Sequence, residues 1–96
     1  MSDPAAAELY EAVGWYERQR PGLGADLFDA VSHTLSFIES NPEAGVAVSP
    51  DYQTRQFIVR RFPYQVVYRI RTDEIVIVAV AHSKRRPGYW TDRPLT

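Results

Sequence analysis

RQFIVRRFPYQVVYRIRTDEIVIVAVA, residues 55–81, carries the pattern from which the architecture follows. Within Arg55–Arg61, Phe57 and Val59 fall on one side and Gln56, Ile58 and Arg60 on the other, the two-residue period of a strand. Phe62-Pro63 bends the chain. Tyr64–Arg71 alternates again and puts Tyr64, Val66, Tyr68 and Ile70 on one face. Arg71–Glu74 reads as a tight hairpin connection. Glu74–Ala81 is apolar on both faces, which predicts a central strand covered from both sides.

Upstream, the period changes. Asp3-Pro4 reads as a helix start, with an acceptor at the N-cap and proline in the first turn. Leu9, Ala12, Val13 and Tyr16 then recur at helical spacing. Pro21–Gly24 breaks the chain. A second helix runs from about Gly24 to Ser40, with the apolar stripe Leu27, Phe28, Val31, Leu35 and Ile38. Asn41-Pro42 stops it. Gly45–Thr54, interrupted by Pro50, is a loop or a short irregular strand. The order α-α-β-β-β predicts an α+β fold: a two-helix hairpin on one face of a twisted antiparallel sheet, the other face left free.

Ninety-six residues make one domain, with a helical hairpin at about 4–40, a sheet at about 54–82 and a basic, aromatic segment at 82–96. A chain of this size buries roughly 60–65% of its unfolded surface, enough for one modest core. There is no cysteine, which excludes disulfides and thiolate metal sites and fits the cytoplasm. No apolar run reaches membrane-spanning length, and the acidic start carries no export signal. Charge is divided unevenly. Residues 1–50 hold eight acids and two bases, and residues 51–96 hold four acids and nine bases. Such a chain offers a basic face to an anionic partner.

That basic half ends in AVAHSKRRPGYW, residues 79–90, with no carboxylate among them. His82, Lys84, Arg85, Arg86, Tyr89 and Trp90, with Arg93 beyond them, combine cations with aromatic rings, which suits a phosphate backbone or an acidic protein segment. Arg60 and Arg69 are expected on the less covered side of the sheet. His82 has the pKa range of an acid or base at neutral pH, and with an arginine and Tyr89 it could cleave RNA. Its competing role is a strand-end histidine hydrogen-bonded to backbone. Trp15 and Tyr16 read as core and edge packing, His33 as solvated, and Glu8 and Glu11 as a solvated helix face. No P-loop, dinucleotide fingerprint or HExxH occurs, so no cofactor and no metal is expected.

Taken together, ELYEAVGWYERQRPGLG, FIESNP, RQFIVRRFPYQVVYRI and IVIVAVAHSKRRPGYW resemble the RelE/ParE superfamily of type II toxin–antitoxin toxins, over about residues 8–93. The resemblance implies a toxin neutralised by a cognate antitoxin, in a heterotetramer or a larger assembly, with no membrane partner. Family members usually open with a β-strand. Here Met1-Ser2 alone precede Asp3-Pro4, so that strand is expected to be absent or truncated, leaving a sheet edge open to strand addition.

The family divides by target. RelE-like members cleave mRNA on the ribosome, and under that reading His82, Arg85, Arg86 and Tyr89 are the catalytic candidates. ParE-like members inhibit DNA gyrase by binding, and then Arg60, Arg69, Lys84, Arg85, Arg86, Tyr89, Trp90 and Arg93 are the target-binding candidates. Where the RelE-like pattern carries cations on two strands, this chain has Gln65, and Gln56 and Ile58. Each missing charge removes about 3 kcal/mol of transition-state stabilisation. The gyrase reading is therefore favoured over the ribonuclease. A degenerate toxin that retains only antitoxin binding is the third reading.

Overall fold

The computed structural model describes residues 1–93; Pro94–Thr96, the end of the basic segment delimited from sequence, lie outside them. Two helices, α1 (Asp3–Gln19) and α2 (Leu23–Ser40), precede four strands. These are β1 (Val46–Ala47), β2 (Thr54–Ile58), β3 (Tyr64–Ile70) and β4 (Ile75–His82). They form one antiparallel sheet in the order β1-β2-β3-β4. The fold is thus α+β, with the helix hairpin on one face.

Ser2, not Asp3, caps α1: its side chain accepts from the Ala5 N–H at 3.3 Å, and its backbone is extended. Between the helices, the Glu17 carboxylate accepts from the N–H groups of Gly22 and Gly24, at 2.9 and 3.0 Å. Gly22 has a φ of 93°, which a side chain would strain. A Cβ at Gly24 would meet the Val13 carbonyl at 2.6 Å, so glycine lets α2 start close against α1.

The main core lies between hairpin and sheet, where Leu9, Ala12, Leu27, Val31 and Ile38 meet Val59, Val66, Tyr68, Ile77 and Val80. Phe57 packs against this core and Val59 is buried in it, while Ile58 on the opposite face is 68% exposed. The strand alternation holds. Phe28 does not join the helix stripe and is exposed, and Thr34 is buried instead. The buried line is Leu27, Val31, Thr34 and Ile38, and one residue's rotation of about 100° carries Phe28 off it.

β4 departs from expectation in its position: it is an edge strand, not a central one. Its second face is covered, as its apolar run predicts, by Trp90, which packs with Val67, Val76, Val78, Ala79 and Ala81. Apolar residues on both faces report cover above and below, not a strand on each side. Nor is the edge bare along Ile77–Val80. The Ser2 N–H donates to the Ile77 carbonyl (2.9 Å), Arg93 donates to the Val78 carbonyl (3.0 Å), and the Val80 N–H donates to Glu8 (2.9 Å). Side chains and the start of α1 do there what an added strand would do, so the expected open edge is closed at these positions.

Candidate functional site

The basic turn is held at one end of the sheet. In register, His82 pairs with Tyr64, and the Ser83 N–H donates to the Pro63 carbonyl at 2.8 Å. The β2–β3 bend and the turn after β4 are therefore neighbours. The Tyr89 N–H then donates to the Arg86 carbonyl (3.2 Å) and the Thr91 N–H to the Gly88 carbonyl (3.0 Å), which tightens the chain as it reverses. Trp90 is thereby carried onto the second face of the sheet.

His82 is half-buried, with its ring edge-to-face on Tyr64 at 5.1 Å. Its Nδ1 accepts from the Lys84 backbone N–H at 3.0 Å. A neutral imidazole has one lone pair and one N–H. With the lone pair at Nδ1 committed, Nε2 carries the proton. This is the strand-end, backbone-bonded role weighed in the sequence.

Tyr89, Arg93 and Glu8 form a lock. The Tyr89 hydroxyl donates to Glu8 Oε2. Arg93 binds the same carboxylate through two hydrogen bonds, and the Val80 N–H donates to its Oε1. Burial alone would raise the Glu8 pKa, but hydrogen bonds from Arg93, Tyr89 and Val80 outweigh it and hold the carboxyl below its ordinary value. Burial, and then donation to that carboxylate, pushes the Tyr89 phenol up to about 12. Glu8 is thus no solvated helix residue. Its partners Tyr89 and Arg93 lie 81 and 85 positions away in the chain. The one sequence signal for it was negative: a cluster of cations and tyrosine with no acid of its own.

The cations noted in the sequence separate into two groups. Arg69 is a strut, donating to Thr54 Oγ1 (3.2 Å) and to the carbonyls of Thr91 (3.2 Å) and Arg93 (3.4 Å). Arg93 belongs to the lock. Trp90 is buried, so it is a core residue in this arrangement. Lys84, Arg85 and Arg86 are exposed, and so is Arg60, which lies on the β2–β3 bend rather than on a strand. Among the described residues the ion pairs are Arg93–Glu8 and a loose Arg61–Asp26 contact at 3.9 Å. The three consecutive cations therefore have no carboxylate partner among the described residues. Arg85 stacks over the Tyr89 ring at 3.9 Å.

Beside this turn the face of the sheet away from the helices forms a trough of about 490 Å³, lined by Gln56, Gln65 and Ala81 together with Arg85, Arg86 and Trp90. Its chemistry is recognition: amides, apolar side chains and cations. No group of three or more metal-ligating side chains occurs among the described residues. No described helix is long and apolar enough to cross a membrane.

Comparison with protein families finds a match. The family model described as the ParE toxin of type II toxin–antitoxin system, parDE, matches residues 1–87. It covers both helices, the whole sheet and the basic turn, and ends just before Tyr89. A search of curated proteins finds no match.

Proposed function

Because this chain belongs to the ParE family of type II toxin–antitoxin toxins, we propose that it inhibits DNA gyrase by binding, and that a cognate antitoxin neutralises it in the cytoplasm. The basic turn Lys84–Arg86, extended by Arg60 across the bend, is the contact surface. Arg69, Tyr89, Trp90 and Arg93 serve it by holding the turn against the sheet. The antitoxin forms a heterotetramer or larger assembly with the toxin.

One observation carries the choice of binding over cleavage: the hydrogen bonds of His82 and Tyr89. A ribonuclease base needs a free lone pair, and that of His82 is committed to the Lys84 N–H. An acid for the leaving oxygen must give up a proton readily, and Tyr89 is held near 12. The neighbouring sheet positions Gln56, Ile58 and Gln65 bring no charge to a transition state. The three cations, by contrast, are exposed and have no ion-pair partner among the described residues, which favours steering toward an acidic surface.

The test uses the protein expressed without antitoxin. Supercoiling by purified gyrase is assayed, and mRNA ends are mapped in the same cells. The expected result is accumulated cleaved DNA–gyrase complexes with intact mRNA. Codon-phased mRNA cuts that disappear in His82→Ala would overturn the proposal in favour of cleavage. Normal growth from well-folded protein would leave only antitoxin binding.

A further inference from the structure

A second cavity lies on the helix side of the Tyr89 wall. It is a cleft of about 320 Å³ between α1 and the ends of β3 and β4, lined by Glu11, Trp15, Tyr16, Tyr64 and His82. Its rings meet edge to face: Trp15 with Tyr16 at 5.0 Å, Tyr16 with Tyr64 at 6.2 Å, and Tyr64 with His82 at 5.1 Å. Edge-to-face packing sets ring planes across one another, so aromatic faces border the space between helix and strands. Trp15 is 51% exposed, not the packed residue its helix position suggested.

The charges on this cleft are few. Glu8 also lines it, but its charge is matched by Arg93. Glu11 is exposed and has no hydrogen-bond or ion-pair partner among the described residues. Arg85 lies at the wall, stacked on Tyr89. That contact shows, within the chain itself, a guanidinium accepted by one of these rings. The Tyr64 phenol is pushed up, first by burial, then by Tyr16 and by the carboxylates of Glu11 and Glu8, so both acids bear on this ring.

We propose that this cleft is an anchor site for an arginine side chain of a partner protein, its guanidinium stacked on the exposed Trp15 ring and the half-buried Tyr64 ring and paired with the Glu11 carboxylate. Arginine fits better than lysine because a flat guanidinium stacks on aromatic faces and binds a carboxylate through two bonds. The proposal deepens the reading of the chain as a toxin with a protein partner. It gives that partner a chemistry: a cation on the helix side of Tyr89, and acids on the side of Lys84–Arg86. The molecule thus presents two surfaces of opposite preference, separated by one ring.

The probe is N-acetyl-arginine amide, titrated into the full chain and followed by two-dimensional amide and indole NMR. N-acetyl-glutamate amide and N-acetyl-phenylalanine amide are the controls. Trp15→Phe assigns the indole signal against that of Trp90. The expected result is a saturable shift at the Trp15 indole with the arginine probe alone, at a dissociation constant of about 1–10 mM for a ligand of that size. Glu11→Gln, an exposed change that leaves the fold intact, is expected to weaken binding by about threefold or more. No saturable shift overturns the proposal. So does an equal response to the phenylalanine or glutamate probe, or an affinity unchanged in Glu11→Gln. A protein that inhibits gyrase yet ignores the arginine probe would remove this proposal and leave the preceding one standing.

Discussion

Arg93 binds Glu8 through two hydrogen bonds of 2.8 and 3.0 Å, joining α1 to the last turn of the described chain. The same carboxylate takes the Val80 N–H at the sheet edge and the Tyr89 hydroxyl. Glu8→Gln keeps the shape and removes the charge. The expected loss is about 2 kcal/mol at pH 7, because Arg93 is left partly buried without its counter-ion. The pH dependence has a definite sign. The Glu8 pKa is lower in the folded protein than its ordinary value, so the contribution is complete above the ordinary glutamate range and is lost as pH falls through the folded value. Urea unfolding at a series of pH values checks this. The gap between wild type and Glu8→Gln should close only as pH falls below the ordinary glutamate range; a gap that stays constant refutes the account.

Tyr89 titrates at the other end of the scale. Its folded pKa of about 12 lies above the ordinary phenol value of about 10. A raised pKa stabilises the protein below the unfolded value, and that stability is lost as pH rises through the folded one. Tyr89→Phe should therefore lose about 1 kcal/mol at neutral pH. It should also flatten the decline in stability between pH 10 and about 12. The measurement is denaturant unfolding of both proteins across that interval. Identical alkaline limbs would mean that the phenol is not engaged with Glu8 in solution.

These two residues mark the boundary of what the sequence discloses. The alternation of Phe57 and Val59 against Gln56 and Ile58 is local, so it was legible and the structure repeats it. The apolar run at β4 was legible as buried, but its place in the sheet was not. Trp90 covers one face and polar side chains close the edge, and both arrive from distant parts of the chain. Glu8 was illegible for the same reason. Helical periodicity put it on a polar face, and no local pattern encodes partners some eighty residues away. Of the cluster after β4, the residue types could be read, but the division into locked and exposed cations depends on that tertiary contact.

Trp90 tests whether the second face is a true core. It is 9% exposed among Val67, Val76, Val78, Ala79 and Ala81. Trp90→Ala is expected to cost about 3–4 kcal/mol. It should also free the segment that carries the lock, so limited proteolysis should cut near Arg85 and Arg86 well before global unfolding. Trp90→Phe, which keeps most of the apolar contact, should recover much of both losses. Protection from protease in Trp90→Ala equal to wild type would show that the lock alone retains the segment.

The basic turn offers the opposite experiment, a change in charge with little change in fold. Lys84, Arg85 and Arg86 are exposed, and only Arg85 makes a stacking contact. Replacing all three by alanine should alter unfolding free energy by no more than about 1 kcal/mol. If these cations meet an acidic surface on gyrase, inhibition should weaken by about tenfold or more, and its dependence on salt should flatten. Arg69→Ala is the contrasting variant. It removes the strut to Thr54, Thr91 and Arg93 and should lower stability first, with inhibition falling only as the turn loses its support. A turn variant that unfolds like wild type and inhibits like wild type would place the contact elsewhere. Equal losses of stability in both variants would make the turn a structural element rather than a binding surface.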